Sequence, residues 1–368
     1  SEPAFTINEA ALADGSVAGW SYADGVLAIS GSGLTLSGYS GDALRIEVAA
    51  AVTDVALSGV DLGDCTFVYA GGPTGTLLIS MQGSNEMHGG IEGVNGNLTF
   101  GGSGSLKVVS GQEAAVWAGK ITVRSGSLTA LAVSGGSADA YGLRAMSTLM
   151  ISGGTVVAGG SSGNGYAYGI MADSFITTAG TVTSTGAVRS GNSRGYAHGI
   201  MAGSISIAGG TIAATGDGSA GSGNYGYGMH GRNIFIDGGS VTANGVGSNG
   251  GGFGIYSYET ATYANGTVHA TGNSEGISFW GDVSVLGGSV TASGDYGGLE
   301  SQNGRVKISG GSLTTTGDGW GISTQAGDIL FDGGTFDSSG GVFSRSGKIA
   351  VSAGTMKLRD SVVMANKG

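Results

Sequence analysis

The chain has 368 residues, 79 of them glycine and only 2 proline, with a net charge of −11 and 15 Lys+Arg. So few cations argue against a nucleic-acid backbone or an anionic membrane surface as partner. No apolar run reaches the roughly 18 residues that a transmembrane helix needs. Glycine without period would point to disorder, but 40% of residues are hydrophobic and the aliphatic ones recur in phase with the glycines. A core can therefore form. At this length two or three globular domains are the default, an expectation that internal repeats override.

Residues 1–40, with "WSYADGVLAISGSG", stand outside the repeat and read as an N-terminal cap segment with the first strands; residues 41–368 read as the repetitive body. A start at "SEPAF", without Met, reads as trimmed. The stretches "LRIEVAAAVTDVALSGVDL" (44–62) and "LLISMQGSNEMHGG" (77–90) read as degenerate early repeats. Between them lies Cys65, the only cysteine, which excludes a disulfide framework and a cysteine zinc site and reads as a buried small hydrophobe.

From there one phrase recurs: "ISGGTVVAGG" at 151–160, "IAGGTIAATG" at 207–216, "IDGGSVTANG" at 236–245 and "ISGGSLTTTG" at 308–317. The glycine before Ser/Thr gives eleven anchors, Gly104, Gly126, Gly154, Gly180, Gly210, Gly239, Gly266, Gly288, Gly311, Gly334 and Gly354, spaced 20 to 30 residues apart. Within a unit, a short alternating strand (Ile205-Ser-Ile207) leads through a glycine turn to a second (Ile212-Ala-Ala214). A polar loop then leads to a third, as in "YGIMA" or "WGIST". Period-2 alternation, β-branched residues and glycine punctuation read as strand. Three short strands per unit are one coil of a right-handed parallel β-helix, all-β, each coil burying its apolar face against its neighbours. About fourteen coils at ~4.8 Å give a rod on the order of 65 Å long. The anchor glycines are expected at positive-φ corners. In the last coil, Lys357, Arg359 and Lys367 gather much of the scarce basic charge, which suits an end that discourages further stacking.

The units "ISGGTVVAGG…YGIMA" and "ISGGSLTTTGDGWGIST", the opening "GWSYADGVLAISGSG" and the phrase "LLISMQGSNEMHGG" resemble the β-helical surface and carbohydrate-binding proteins of anaerobic, often gut-dwelling, bacteria. The resemblance spans nearly the whole chain. It implies an extracellular or cell-surface, adhesin-like β-helix whose partner is a polysaccharide or a host or bacterial glycan. In a calcium-containing, polysaccharide-binding branch of such proteins, the third strand begins Asp-Gly-Ile. Here that position holds Tyr141, Tyr168, His198, Tyr227, Phe253, Glu275 and Trp320 before the glycine. The acidic ladder is missing, and carbohydrate binding rests on the aromatics.

A second aromatic column, Tyr166, Tyr196 and Tyr225, lies two residues upstream. Both columns fall in the longest coils, beside the loops "GGSSGNG", "GAVRSGNSRG" and "GDGSAGSGN". Tyr141, Tyr166, Tyr168, Tyr196, His198, Tyr225, Tyr227 and Phe253 are therefore the candidate ligand surface, with sugars docking on flat ring faces. Strict alternation opposes this by placing Tyr168 on the inward side with Ile170; the intervening Gly169 can bend the chain and re-aim the ring.

Asn273, Asp295 and Asp318 follow one another in consecutive coils and form a candidate Ca²⁺ site, although Asp and Asn beside glycine are also ordinary turn residues. No other cofactor is indicated. The histidines show no metal-ligand spacing, and the 26 Asp+Glu are spread too thinly for an acid–base pair within one segment. The nearest polar cluster is Arg189, Arg194 and His198. The reading is a monomeric, non-catalytic glycan-binding rod, with a passive stalk or scaffold as the alternative and a polysaccharide lyase or hydrolase behind both.

Overall fold

A computed structural model describes residues 4–40, 43–189, 194–359 and 362–365. Lys367 and the centre of the loop "GAVRSGNSRG", residues 190–193, lie outside them. The chain forms a parallel β-solenoid of about fourteen turns with three strands per turn. One coil shows the logic. Residues 196–202 and 204–207 of the strand Tyr196–Ile207 lie on two successive sheets, here called A and B, and Thr211–Gly218 lies on the third, sheet C. Each segment pairs in parallel and in register with the equivalent segment one coil on: Ile200 with Met229, Ile205 with Ile234, and Ile212 with Val241.

This register puts like side chains above like, so the alternating pattern becomes continuous columns. Ile170, Ile200, Met229, Ile255, Ile277, Leu299 and Ile322 form the inward column of sheet A; Val182, Ile212, Val241, Val268, Val290 and Leu313 form that of sheet C. All are buried in a single cluster that runs the length of the rod. Cys65 belongs to it, and burial pushes its thiol up to about 12, which leaves it protonated and unreactive.

Ten of the eleven anchor glycines have positive φ, among them Gly239 at 74°. Gly104 is the exception; in that coil Gly102 takes the left-handed conformation at 113°. A Cβ on Gly239 would also lie 2.5 Å from the carbonyl oxygen of Gly210 in the coil before, so the corner stacks backbone directly on backbone. Antiparallel pairing among the described residues is confined to residues 6–37, where Gly15–Val17 pairs with Trp20–Ala23 and that strand pairs with Val26–Ile29. Val26–Ile29 in turn pairs in parallel with Leu44–Val48, which starts the solenoid. At the other end Lys357 is exposed, Arg359 pairs with Asp337 at 2.8 Å, and Val351, Val363 and Met364 are exposed beside them.

Candidate functional site

Sheet A carries the unusual side chains, and a glycine decides how they point. A Cβ on Gly169 would come within 2.5 Å of the Thr185 backbone nitrogen and 2.8 Å of the Gly199 carbonyl oxygen. At Gly199 it would lie 2.5 Å from Thr215 N and 2.6 Å from Gly228 O. Only glycine lets sheet A press against sheet C here. The bend also breaks strict alternation. Ala167 and Ala197, before the rings, pack inward with Val188, and Ile170 and Ile200, after the glycines, join the main core. The ring between them belongs to neither cluster and lies on the outer side of the sheet.

The rings stack on one another there. Centroid separations are 4.8 Å for Tyr141–Tyr168, 5.0 Å for Tyr168–His198, 4.9 Å for His198–Tyr227 and 5.3 Å for Tyr227–Phe253, with planes within 12° of parallel. The Arg144 guanidinium caps one end, sandwiched 4.5 Å from the centroids of both Tyr141 and Trp117, while its Nη1 donates to Glu113 at 2.6 Å. At the other end Tyr256 meets Phe253 edge-on. Tyr141, Tyr168, His198 and Tyr227 are consequently only 3–8% exposed, and burial raises the three phenol pKa values. The outer column repeats the pattern more loosely. Tyr166, Tyr196 and Tyr225 stand 5.2 and 5.4 Å apart, with Tyr166 42% exposed.

The inner rings are therefore not the exposed platform that the sequence suggested. Sugars dock on free ring faces, and in the column Tyr141, Tyr168, His198, Tyr227 and Phe253 the faces are occupied by the next ring. The rings were expected to be either exposed or part of the core; they form a packed layer outside the core.

Further along the same register position the stack ends. Phe253 is followed by Glu275, Gly297, Trp320 and Gly341. The Trp320 indole leans over Gly297, whose Cβ would collide with Nε1, and Gly341 leaves the other side without a side chain. Among the described residues no aromatic ring packs on Trp320. Its free side lines a groove of about 450 Å³, with Phe343, Val362 and Met364 as further apolar walls and Asp318, Ser323, Gln325 and Ser339 as polar ones. Gln325 Nε2 donates to Glu300 at 3.2 Å, and Glu300 and Glu275 are both buried in adjacent coils. Burial, and the nearby charge of Glu300, hold the Glu275 carboxyl above its ordinary value, against a hydrogen bond with Ser274 that acts the other way.

Sequence reasoning put the ligand surface on coils 141–255, gave Trp320 only as a member of the column and Asp318 only as a Ca²⁺ ligand, and missed Ser323, Gln325, Phe343 and Glu300. The signal was the pair of glycines, 297 and 341, flanking Trp320 in its column.

The candidate Ca²⁺ ligands do not form a site. Both ends of the Asn273 amide are engaged by Gly247, whose N–H donates to Oδ1 at 3.0 Å and whose carbonyl accepts from Nδ2 at 2.7 Å. Asp295 and Asp318 are exposed turn residues joined only through their backbones. Among the described residues no three His, Cys, Asp or Glu side chains gather in a group that could hold a metal ion. Arg189, whose Nε donates to Ser161, and Arg194, near Gly223, flank residues outside the description. His198 is placed instead inside the ring stack. Its Nδ1 lies 3.3 Å from Nδ1 of His230, and burial holds His198 well below its ordinary pKa and His230 at about 4.

No helix among the described residues is long and apolar enough to cross a membrane. Compared with known protein families, curated proteins and solved structures, the chain matches none.

Proposed function

We propose that this protein is an extracellular, non-catalytic glycan-binding solenoid, and that its contact surface is the Trp320 groove. The observation that carries this reading is the single unstacked ring of the column. A flat indole face is left bare by Gly341, in a groove within the roughly 300–1,000 Å³ range of small-molecule sites. The apolar face of a sugar ring packs on such an indole, and the hydroxyls meet hydroxyl, amide and carboxylate groups from Ser323, Gln325, Ser339 and Asp318. Tyr166, at the edge of the outer column, can extend the surface for a long polymer.

The scaffold reading is favoured by a different observation. Seven stacked or sandwiched groups, from Trp117 to Phe253, stiffen the rod without any ligand.

A glycan array probed with the purified chain separates the two. Glycan binding is expected for the wild type and expected to be lost in Trp320→Ala, with the melting temperature nearly unchanged. A blank wild-type array, or a Trp320→Ala protein that binds as well as the parent, overturns the proposal.

A further inference from the structure

We propose a second, independent site: a single Cu(I) ion held between His198 and His230 and completed by the thioethers of Met171 and Met201. Two imidazoles on one tetrahedral ion, with metal–nitrogen bonds of roughly 2.0–2.1 Å, bring their ligating nitrogens to about 3.3–3.4 Å. The two Nδ1 atoms stand 3.3 Å apart. The contact is diagonal. His198 lies in the ring column, and His230 in the column three residues on, one coil later.

Met171 and Met201 precede His230 in that second column, paired coil to coil, and all three line one cavity of about 200 Å³. Core packing does not account for these methionines. They lie outside the core cluster, at a position that other coils fill with Arg144, Tyr256 or Ser278. His230 is 7% exposed, its Nε2 has no hydrogen-bond partner, and its ring packs against Tyr227 and Tyr258, so its one hydrogen bond is the Nδ1 contact with His198.

The donor set chooses the metal. Thioether sulfur with neutral imidazole is a soft combination that suits Cu(I). Without metal the two Nδ1 atoms share a hydrogen bond, at the position the ion would take. Low charge matters as well. Arg232 lines the same cavity, 3.8 Å from Glu259 and largely solvated, and Asp173 is part of the same lining. A monovalent ion is repelled by that guanidinium less than a divalent one.

The full chain, titrated anaerobically with Cu(I) against a colorimetric Cu(I) chelator, is expected to take up one ion. X-ray absorption of that complex is expected to show both nitrogen and sulfur neighbours. Met171→Leu with Met201→Leu keeps the volume of two partly exposed side chains. It is expected to remove the sulfur shell and weaken binding by roughly tenfold or more, at least the loss that outer-shell changes produce. His230→Phe preserves a ring at that position and should abolish uptake. Absence of stoichiometric binding, a nitrogen-only spectrum, or equal affinity in the leucine double variant would each overturn the site and leave an ordinary imidazole–imidazole hydrogen bond. Should His230→Phe not fold, the leucine variant and the spectrum decide alone.

Discussion

From Tyr141 to Phe253 every coil of sheet A contributes a ring to one register position; from Glu275 to Gly341 the same position holds Glu, Gly, Trp and Gly. The backbone is alike in both stretches, with parallel in-register pairing, the same inward aliphatic column and the same glycine corners. What differs is the neighbour one coil away. Upstream, each ring is covered by the next at about 5 Å, and every such pair contributes roughly 0.5–1.5 kcal/mol beyond its buried area. Downstream, a lone indole has glycine on both sides and keeps a face for something else. In a solenoid the role of an aromatic residue is therefore set by the residues 20 to 30 positions before and after it.

The largest effect should come from breaking the stack. Replacing Tyr168 and Tyr227 together by Ala strips rings from both sides of His198, and a loss on the order of 3 kcal/mol per ring is expected by analogy with buried aromatic truncations. Trp320→Ala should cost only about 1 kcal/mol, since a single mutation away from the core costs little more. Urea unfolding followed by hydrogen exchange in sheet A checks both. Equal costs for the two regions would show that the rings of 141–253 are not a packed layer.

A smaller effect tests whether the two stretches share their corners. Gly239 lies in the ring region and Gly311 in the open one; their φ values are 74° and 67°, and a Cβ would sit 2.5 and 2.6 Å from the preceding coil's carbonyl oxygen. Valine at either position is expected to cost at least about 2 kcal/mol through strain and close approach. The two variants should lose melting temperature alike. A tolerated valine at Gly311 alone would mean that the open stretch has a looser corner, and the difference between the regions would no longer be confined to sheet A.

The coil was legible because its requirements are local. A turn that needs positive φ selects glycine, and the glycine spacing reads out coil length directly; only Gly104, displaced by Gly102, departs from the rule. The columns were legible too, since register follows from the repeat. Ring burial was not. It depends on Gly169 and its equivalents ending the period-2 alternation, and on centroid spacings that no single coil contains. The Ca²⁺ reading failed for a similar reason, because the Asn273 amide is used by the Gly247 backbone, a contact set by the loop over 247–252. The His198–His230 contact crosses between columns and coils at once, which no alignment of repeats displays.

Glu275 marks the boundary between the stretches. It follows Phe253 in the ring column, so a carboxyl is placed where the packing expects an aromatic edge. Burial raises its pKa first, and the charge of Glu300 adds to the shift. Between the unfolded value near 4.5 and the raised folded one, the folded chain binds more protons than the unfolded chain, so stability falls as pH rises through that interval. Above that interval the ionised Glu275 is thus a cost; below the unfolded value it is none. Glu275→Gln, which keeps shape and hydrogen bonding, should raise the melting temperature at pH 8 and leave it unchanged at pH 4. A variant equally stabilised at both pH values would show that charge plays no part there. A variant destabilised at pH 8 would mean that the ionised carboxylate has a favourable partner, and that the ring column ends at Phe253 for a reason other than burial.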